Sequence, residues 1–129
     1  MRIVALIARL LLGLLFLVLG LNTFLHFLNM PMPTGLAGQF MGALFQSGYL
    51  YVVAGLQVVG AVLLLVGRFV PLALVLLGPV IVNILLYHLL LNPAGIGLAL
   101  VATVLWFIVF YAYRQYFSGI FVNRAAPQN

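Results

Sequence analysis

Cysteine, aspartate and glutamate are absent from this chain of 129 residues, and its five basic residues are all arginine. Without cysteine there is no disulfide, no thiolate metal site, no iron–sulfur cluster and no thiol–disulfide exchange. Without a carboxylate, the two histidines, His26 and His88, make a thin metal site, and no histidine pair stands at i,i+3 or i,i+4. Charge itself is scarce. Only 4% of residues are charged, where a soluble domain carries about 25%. The net charge of +5 is no nucleic-acid signature, because the arginines are scattered and form no stripe.

What remains is apolar. Hydrophobic residues make up 67% of the chain, too many for a water-facing surface of this size. Lipid is the solvent that fits. At roughly 20 apolar residues per crossing, the length allows about four spans and short loops. The apolar runs are continuous rather than alternating, which disfavours a transmembrane barrel. The expected fold is therefore all-α: a single four-helix transmembrane domain over residues 1–129, with residues 118–129 as a flexible tail.

The start, MRIVALIARLLLGLLFLVLG, has the basic residue and apolar stretch of a signal peptide. The stretch runs on to about Leu28 without a small-residue cleavage site, so it reads as a retained first span. The spans are expected at 3–28, 49–66, 71–91 and 94–117. Pro71 and Pro93 stand where the third and fourth helices should start, and a missing N–H costs little at a first helical position. The connections around Arg68 and Asn92 are short, so consecutive helices pack antiparallel.

With four spans, Arg2, Arg9, Arg68, Arg114 and Arg124 all fall on one side, and Arg9 is close enough to that end to snorkel. The opposite side carries no charge. By the positive-inside rule both termini are cytoplasmic, in a bacterial-type inner membrane. The longer connection, residues 29–48, lies on the outer side. Pro31 and Pro33 break the first helix, and Thr34 can cap a short one in which Leu36, Phe40 and Leu44 repeat at helical spacing. Without charge, this helix is expected to lie in the outer interface or to cover a cavity. Gly38 and Gly42 in it form a weak GxxxG pattern.

The scarce polar residues gather at one depth. Asn22 and His26 share a face of the first helix. Asn83 lies about 7 Å deeper than His88 on the third span, and Gln57 about 12 Å below the start of the second. An unpaired amide in hydrocarbon costs several kcal/mol. The expected solution points all five inward, at one another, as a polar pocket in the outer half of the bundle. Pro79 removes a helix hydrogen bond below Asn83, and a kink there would widen the pocket. For the histidines, the structural reading pairs each with a nearby carbonyl, amide or tyrosine (Tyr87, Tyr49 and Tyr51 are candidates). The functional readings are contact with a quinone or lipid head, bis-histidine haem ligation, which is disfavoured, and proton transfer. The candidate ligand-binding set is Asn22, His26, Gln57, Asn83, Tyr87 and His88, with no catalytic or metal-binding residue assigned.

The aromatic stretch WFIVFYAYRQYF (106–117) reads as an interfacial belt ending the fourth span. Trp106 is too deep for the belt and faces lipid or a partner. Gly13 and Gly20 give the first span a small-residue stripe for close packing, and Gly55 and Gly60 do so in the second.

The stretches ARLLLGLLFLVLGLNTFLHF (8–27), LQVVGAVLLLVGRFVPLALVLLGPVIVN (56–83) and NILLYHLLLNPAG (83–95) together resemble the DoxX-like family of small four-helix membrane proteins. Family members typically carry an acid ahead of the Gly-rich stretch of the second helix, and often a lysine near the end of the first. Here Gln57 stands in the first place and Asn22 to His26 near the second. A neutral amide cannot accept and release a proton, so no proton-coupled role built on that acid carries over. The better-known relatives are linked to quinone-reducing thiosulfate oxidation and to other respiratory or redox assemblies. The resemblance implies a quinone-linked or accessory-subunit role.

The expected function is thus an accessory or scaffold subunit with a membrane-protein partner or a second copy of itself, its outer pocket able to hold a quinone or lipid. A quinone-linked redox subunit is the alternative, but this chain offers no electron source of its own. A small-solute transporter is a second alternative, and it lacks a polar path through the inner half of the spans.

Overall fold

In the computed structural model, residues 1–28 and 31–128 are described. Asn29 and Met30, at the start of the expected outer connection, and Asn129, last in the expected tail, lie outside the described residues. Among the described residues five α-helices follow one another: α1 (Arg2–Leu25), α2 (Gly35–Ser47), α3 (Tyr49–Val66), α4 (Val70–Leu90) and α5 (Ile96–Ala112). A 3-10 helix, Arg114–Phe121, follows. There is no strand among the described residues. Helices α1, α3 and α4 are each long and apolar enough to cross a membrane, while α5 reaches that length only together with the 3-10 helix.

The four long helices form a ring in which α1 packs on α3 and α5, and α4 packs on α3 and α5. Small residues set the closest approach. A Cβ on Gly13 would sit 2.9 Å from Leu65, one on Gly20 2.8 Å from Val58, and one on Gly60 2.9 Å from Leu77. The α1 contacts run backwards along α3, which makes that pair antiparallel. Lipid tails are as apolar as leucine, so helix association in a membrane rests on such close van der Waals contact. By contrast Gly55 faces open space, so only Gly60 of that expected pair serves the packing. Leu12, Phe16, Leu64, Leu74, Leu77 and Val109 fill the centre of the ring. The wide apolar exposure of the outer faces is what a lipid-facing surface requires.

Turn chemistry trims the expected spans. Helix α1 stops at Leu25 rather than Leu28, because His26 adopts the left-handed conformation (φ 54°) and turns the chain. Thr34 stands at the N-cap of α2, but its side chain makes no capping bond. Gly48 (φ 79°) joins α2 to α3, and Gly67 (φ 80°) ends α3. Pro71 lies in the first turn of α4, as expected, whereas Pro93 sits in the turn before α5, which starts only at Ile96. The largest departure is at the end. The fourth span does not run straight to Phe117; the chain bends by 86° between α5 and the 3-10 helix. Phe117 tucks under the bundle with its ring 4.9 Å from that of Phe110, so burying this aromatic holds the bend. The expected tail from Ser118 therefore begins inside the 3-10 helix.

Candidate functional site

The polar residues expected to converge are placed on two helix ends, on one outer face and, for Gln57, in the α1–α3 interface. Asn22 is half-buried and caps its own helix: its Oδ1 accepts the N–H of Leu28 at 2.6 Å, while its carbonyl accepts the N–H of His26 at 2.8 Å. His26 itself is exposed. Gln57 is half-buried on α3 against Gly20 of α1. Asn83 is exposed, and its Nδ2 donates to the Pro79 carbonyl at 2.8 Å.

His88 ties a turn together. Its Nδ1 lies 3.0 Å from the Asn92 carbonyl and 3.1 Å from that of Ala94. Two acceptors on one nitrogen require that nitrogen to carry a proton, so Nδ1 is a donor to both carbonyls. Gly95 (φ 86°) lies beneath the ring, where a Cβ would come within 3.3 Å of Cε1. Tyr87 meets the His88 ring edge-on at 5.1 Å, stacks on Phe40 of α2 at 5.9 Å, and its hydroxyl accepts a long bond from Asn92 Nδ2 at 3.5 Å. Tyr51, a candidate partner for the histidines, instead pairs with Phe24 at 5.5 Å.

The inward convergence is thus corrected. Among the described residues, Asn22, Asn83 and His88 each spend their hydrogen bonds on backbone within six residues of themselves. The physical reason is that a local carbonyl or N–H is available at no cost in helix rearrangement, whereas joining five side chains across three helices is costly in side-chain entropy. An open groove of about 630 Å³ does lie at this end, but it runs along α2 from Pro33 to Gln46 and none of the six expected residues lines it.

A hydrogen bond that joins two helices is one that periodicity missed. Trp106 Nε1 on α5 donates to the Leu74 carbonyl on α4 at 3.1 Å. Its ring passes over Gly78, where a Cβ would stand 3.4 Å away, and stacks on Phe110 at 5.2 Å. Trp106 therefore faces a neighbouring helix, not lipid. A proline inside a helix removes one N–H and crowds the carbonyl one turn back. Pro79 does this to the Val75 carbonyl, and the Leu74 carbonyl that the indole meets is its neighbour on the same turn. The signal available in the sequence was Gly78, whose missing side chain leaves room on α4 for the lone tryptophan.

Comparison with known proteins places the chain. A family model described as DoxX matches residues 4–89, from the first turn of α1 almost to the end of α4. No curated protein and no solved structure gives a match. With its apolar helices and this match over two thirds of its length, the chain is a multi-pass integral membrane protein that belongs to the DoxX family.

Proposed function

We propose that this protein is a non-catalytic accessory subunit of a membrane assembly, held in a bacterial-type inner membrane with the arginine-bearing end in the cytoplasm. One observation carries the reading. The amide of Asn83 stands on the outward face of α4, seven residues before the helix end, or about 10 Å inside it at 1.5 Å per residue. It uses one N–H on Pro79, which leaves its carbonyl and second N–H turned to the surroundings. Hydrocarbon offers such groups nothing. A neighbouring membrane helix with an amide, hydroxyl or carbonyl at the same depth would satisfy both, and polar contacts of this type between membrane helices contribute about 0.6–2 kcal/mol each.

The test is a photo-reactive residue at position 83 together with Asn83→Leu, read by cross-linking in native membranes and by the size of the assembly after mild extraction. A defined adduct, and an assembly larger than the 14.1 kDa chain that Asn83→Leu disperses, supports the reading. A free monomer in both forms with no adduct contradicts it.

A second reading rests on His88. Its Nδ1 proton is engaged by two carbonyls, which leaves Nε2 as the ring nitrogen open to a ligand, beside the phenol of Tyr87; the neutral imidazole accepts a hydrogen bond there from a hydroxyl. A quinol or lipid head suits that acceptor. In this reading Tyr87 and His88 make the contact, while Asn22, His26, Gln57 and Asn83 support the helices around it. Quinone retained by the purified protein and lost in His88→Leu would favour this reading over the first.

A further inference from the structure

The opposite end of the bundle holds charge that no side chain in the sequence can neutralise. Arg2 and Arg9 are seven residues apart on α1, which puts them on one face with about 10 Å between their Cα atoms. Both line a cavity of about 390 Å³ where the start of α1 meets the end of α5. Its remaining walls are mainly apolar, with Ile3 and Leu6 on one side and Tyr113 on the other. Ile3 and Leu6 are also exposed on the outer surface of α1, so the cavity is continuous with the lipid-facing side of the bundle.

The fold builds this cavity. The 86° bend follows Ala112, so the chain leaves the axis of α5 just where Arg2 and Arg9 come alongside. Tyr113, at the bend, turns towards them. Arg9 is held in place from the other side, where its guanidinium lies against Gly67 at the end of α3. The sequence contains no aspartate or glutamate, so no side chain can serve as counter-ion to either arginine. Two guanidinium groups at the membrane boundary, with a phenol and apolar walls that reach lipid, match a phosphate that carries acyl chains. Arginine's planar fork suits phosphate oxygens, and basic pockets between membrane helices are known to hold anionic head groups.

We propose that the cavity between the start of α1 and the end of α5 is a binding site for an anionic glycerophospholipid. Arg2 and Arg9 bind its phosphate, the Tyr113 hydroxyl donates to the head, and an acyl chain runs along Ile3 and Leu6. The site is independent of the α4 surface around Asn83 and stands whether or not that surface docks a partner.

The experiment is native mass spectrometry of the detergent-purified full chain, titrated separately with phosphatidylglycerol, phosphatidylcholine and inorganic phosphate. Wild type is compared with Arg2→Gln, with Arg2→Gln/Arg9→Gln and with Arg124→Gln. Arg9 also touches the end of α3, so helix content and thermal stability are recorded for every variant, and Arg2→Gln alone serves as the variant that leaves that contact intact. The expected result is preference for phosphatidylglycerol over phosphatidylcholine, weakened roughly tenfold by the double change, less by Arg2→Gln, and not by Arg124→Gln. Equal binding of the two lipids, a double variant that binds like wild type, or inorganic phosphate that binds as tightly as the lipid would each overturn the proposal.

Discussion

Each end of the bundle has a glycine in the left-handed conformation beneath a basic side chain. At one end Arg9 lies over Gly67, and at the other His88 lies over Gly95. The backbone solutions are related: Gly67 at positive φ ends α3 and Gly95 at positive φ opens α5, each where a side chain would be strained. The side chains then differ in what they do with their hydrogen-bonding capacity. His88 closes on the carbonyls of Asn92 and Ala94, so its proton serves the turn. Arg9 has no carboxylate to meet anywhere in the sequence, and it shares a cavity with a second arginine. A ring that backbone close at hand satisfies needs no ligand, whereas a permanent cation draws an anion, and no side chain in the sequence supplies one. A ligand is therefore expected at the arginine end, and the histidine end is expected to be chiefly a matter of stability.

That difference can be broken in several ways. The largest stability effect is expected from His88→Leu, which leaves two carbonyls without their donor and should cost about 1–3 kcal/mol. A denaturant titration in mixed micelles measures it, and phosphatidylglycerol retention should stay at the wild-type level. Next come Gly67→Ala and Gly95→Ala. Each places a Cβ at positive φ, for about 1–2 kcal/mol, readable as a lowered thermal midpoint. Trp106→Phe keeps the packing over Gly78 but loses the bond to Leu74. It should cost about 0.5–1.5 kcal/mol, and the separation of α4 from α5 should widen in spin-label distance measurements. The smallest effect belongs to Asn22→Ala, which leaves the Leu28 N–H uncapped for about 0.5–1 kcal/mol. Faster amide exchange at the end of α1 would report it.

The apolar runs of α1, α3 and α4 were legible to within a few residues, because bilayer thickness and proline position both constrain them. Their ends were less so. Nothing in the hydropathy of residues 21–28 says that His26 will turn left-handed, since that depends on the Asn22 side chain reaching Leu28. The straight fourth span failed at Tyr113 for a related reason: the stretch is apolar enough to continue, and the bend follows from burying Phe117 against Phe110. Depth along a helix, counted at 1.5 Å per residue, puts Asn22, Gln57 and Asn83 at comparable levels, but depth does not fix direction around the axis. Asn83 faces outward, on the same side as Pro79 one turn below. Trp106 shows the converse: its partner is a backbone carbonyl on another helix, which leaves no mark in the residue pattern.

The most direct test sets Gly67→Ala beside Gly95→Ala in a phosphatidylglycerol titration read by native mass spectrometry. The two changes are matched in chemistry and in expected loss of stability, and they differ in which basic side chain they displace. Gly67→Ala should weaken lipid retention severalfold, because the new Cβ occupies the place of the Arg9 guanidinium, while Gly95→Ala should leave retention unchanged. Equal retention in the two variants, or a larger loss in Gly95→Ala, would contradict the assignment of ligand binding to the arginine end.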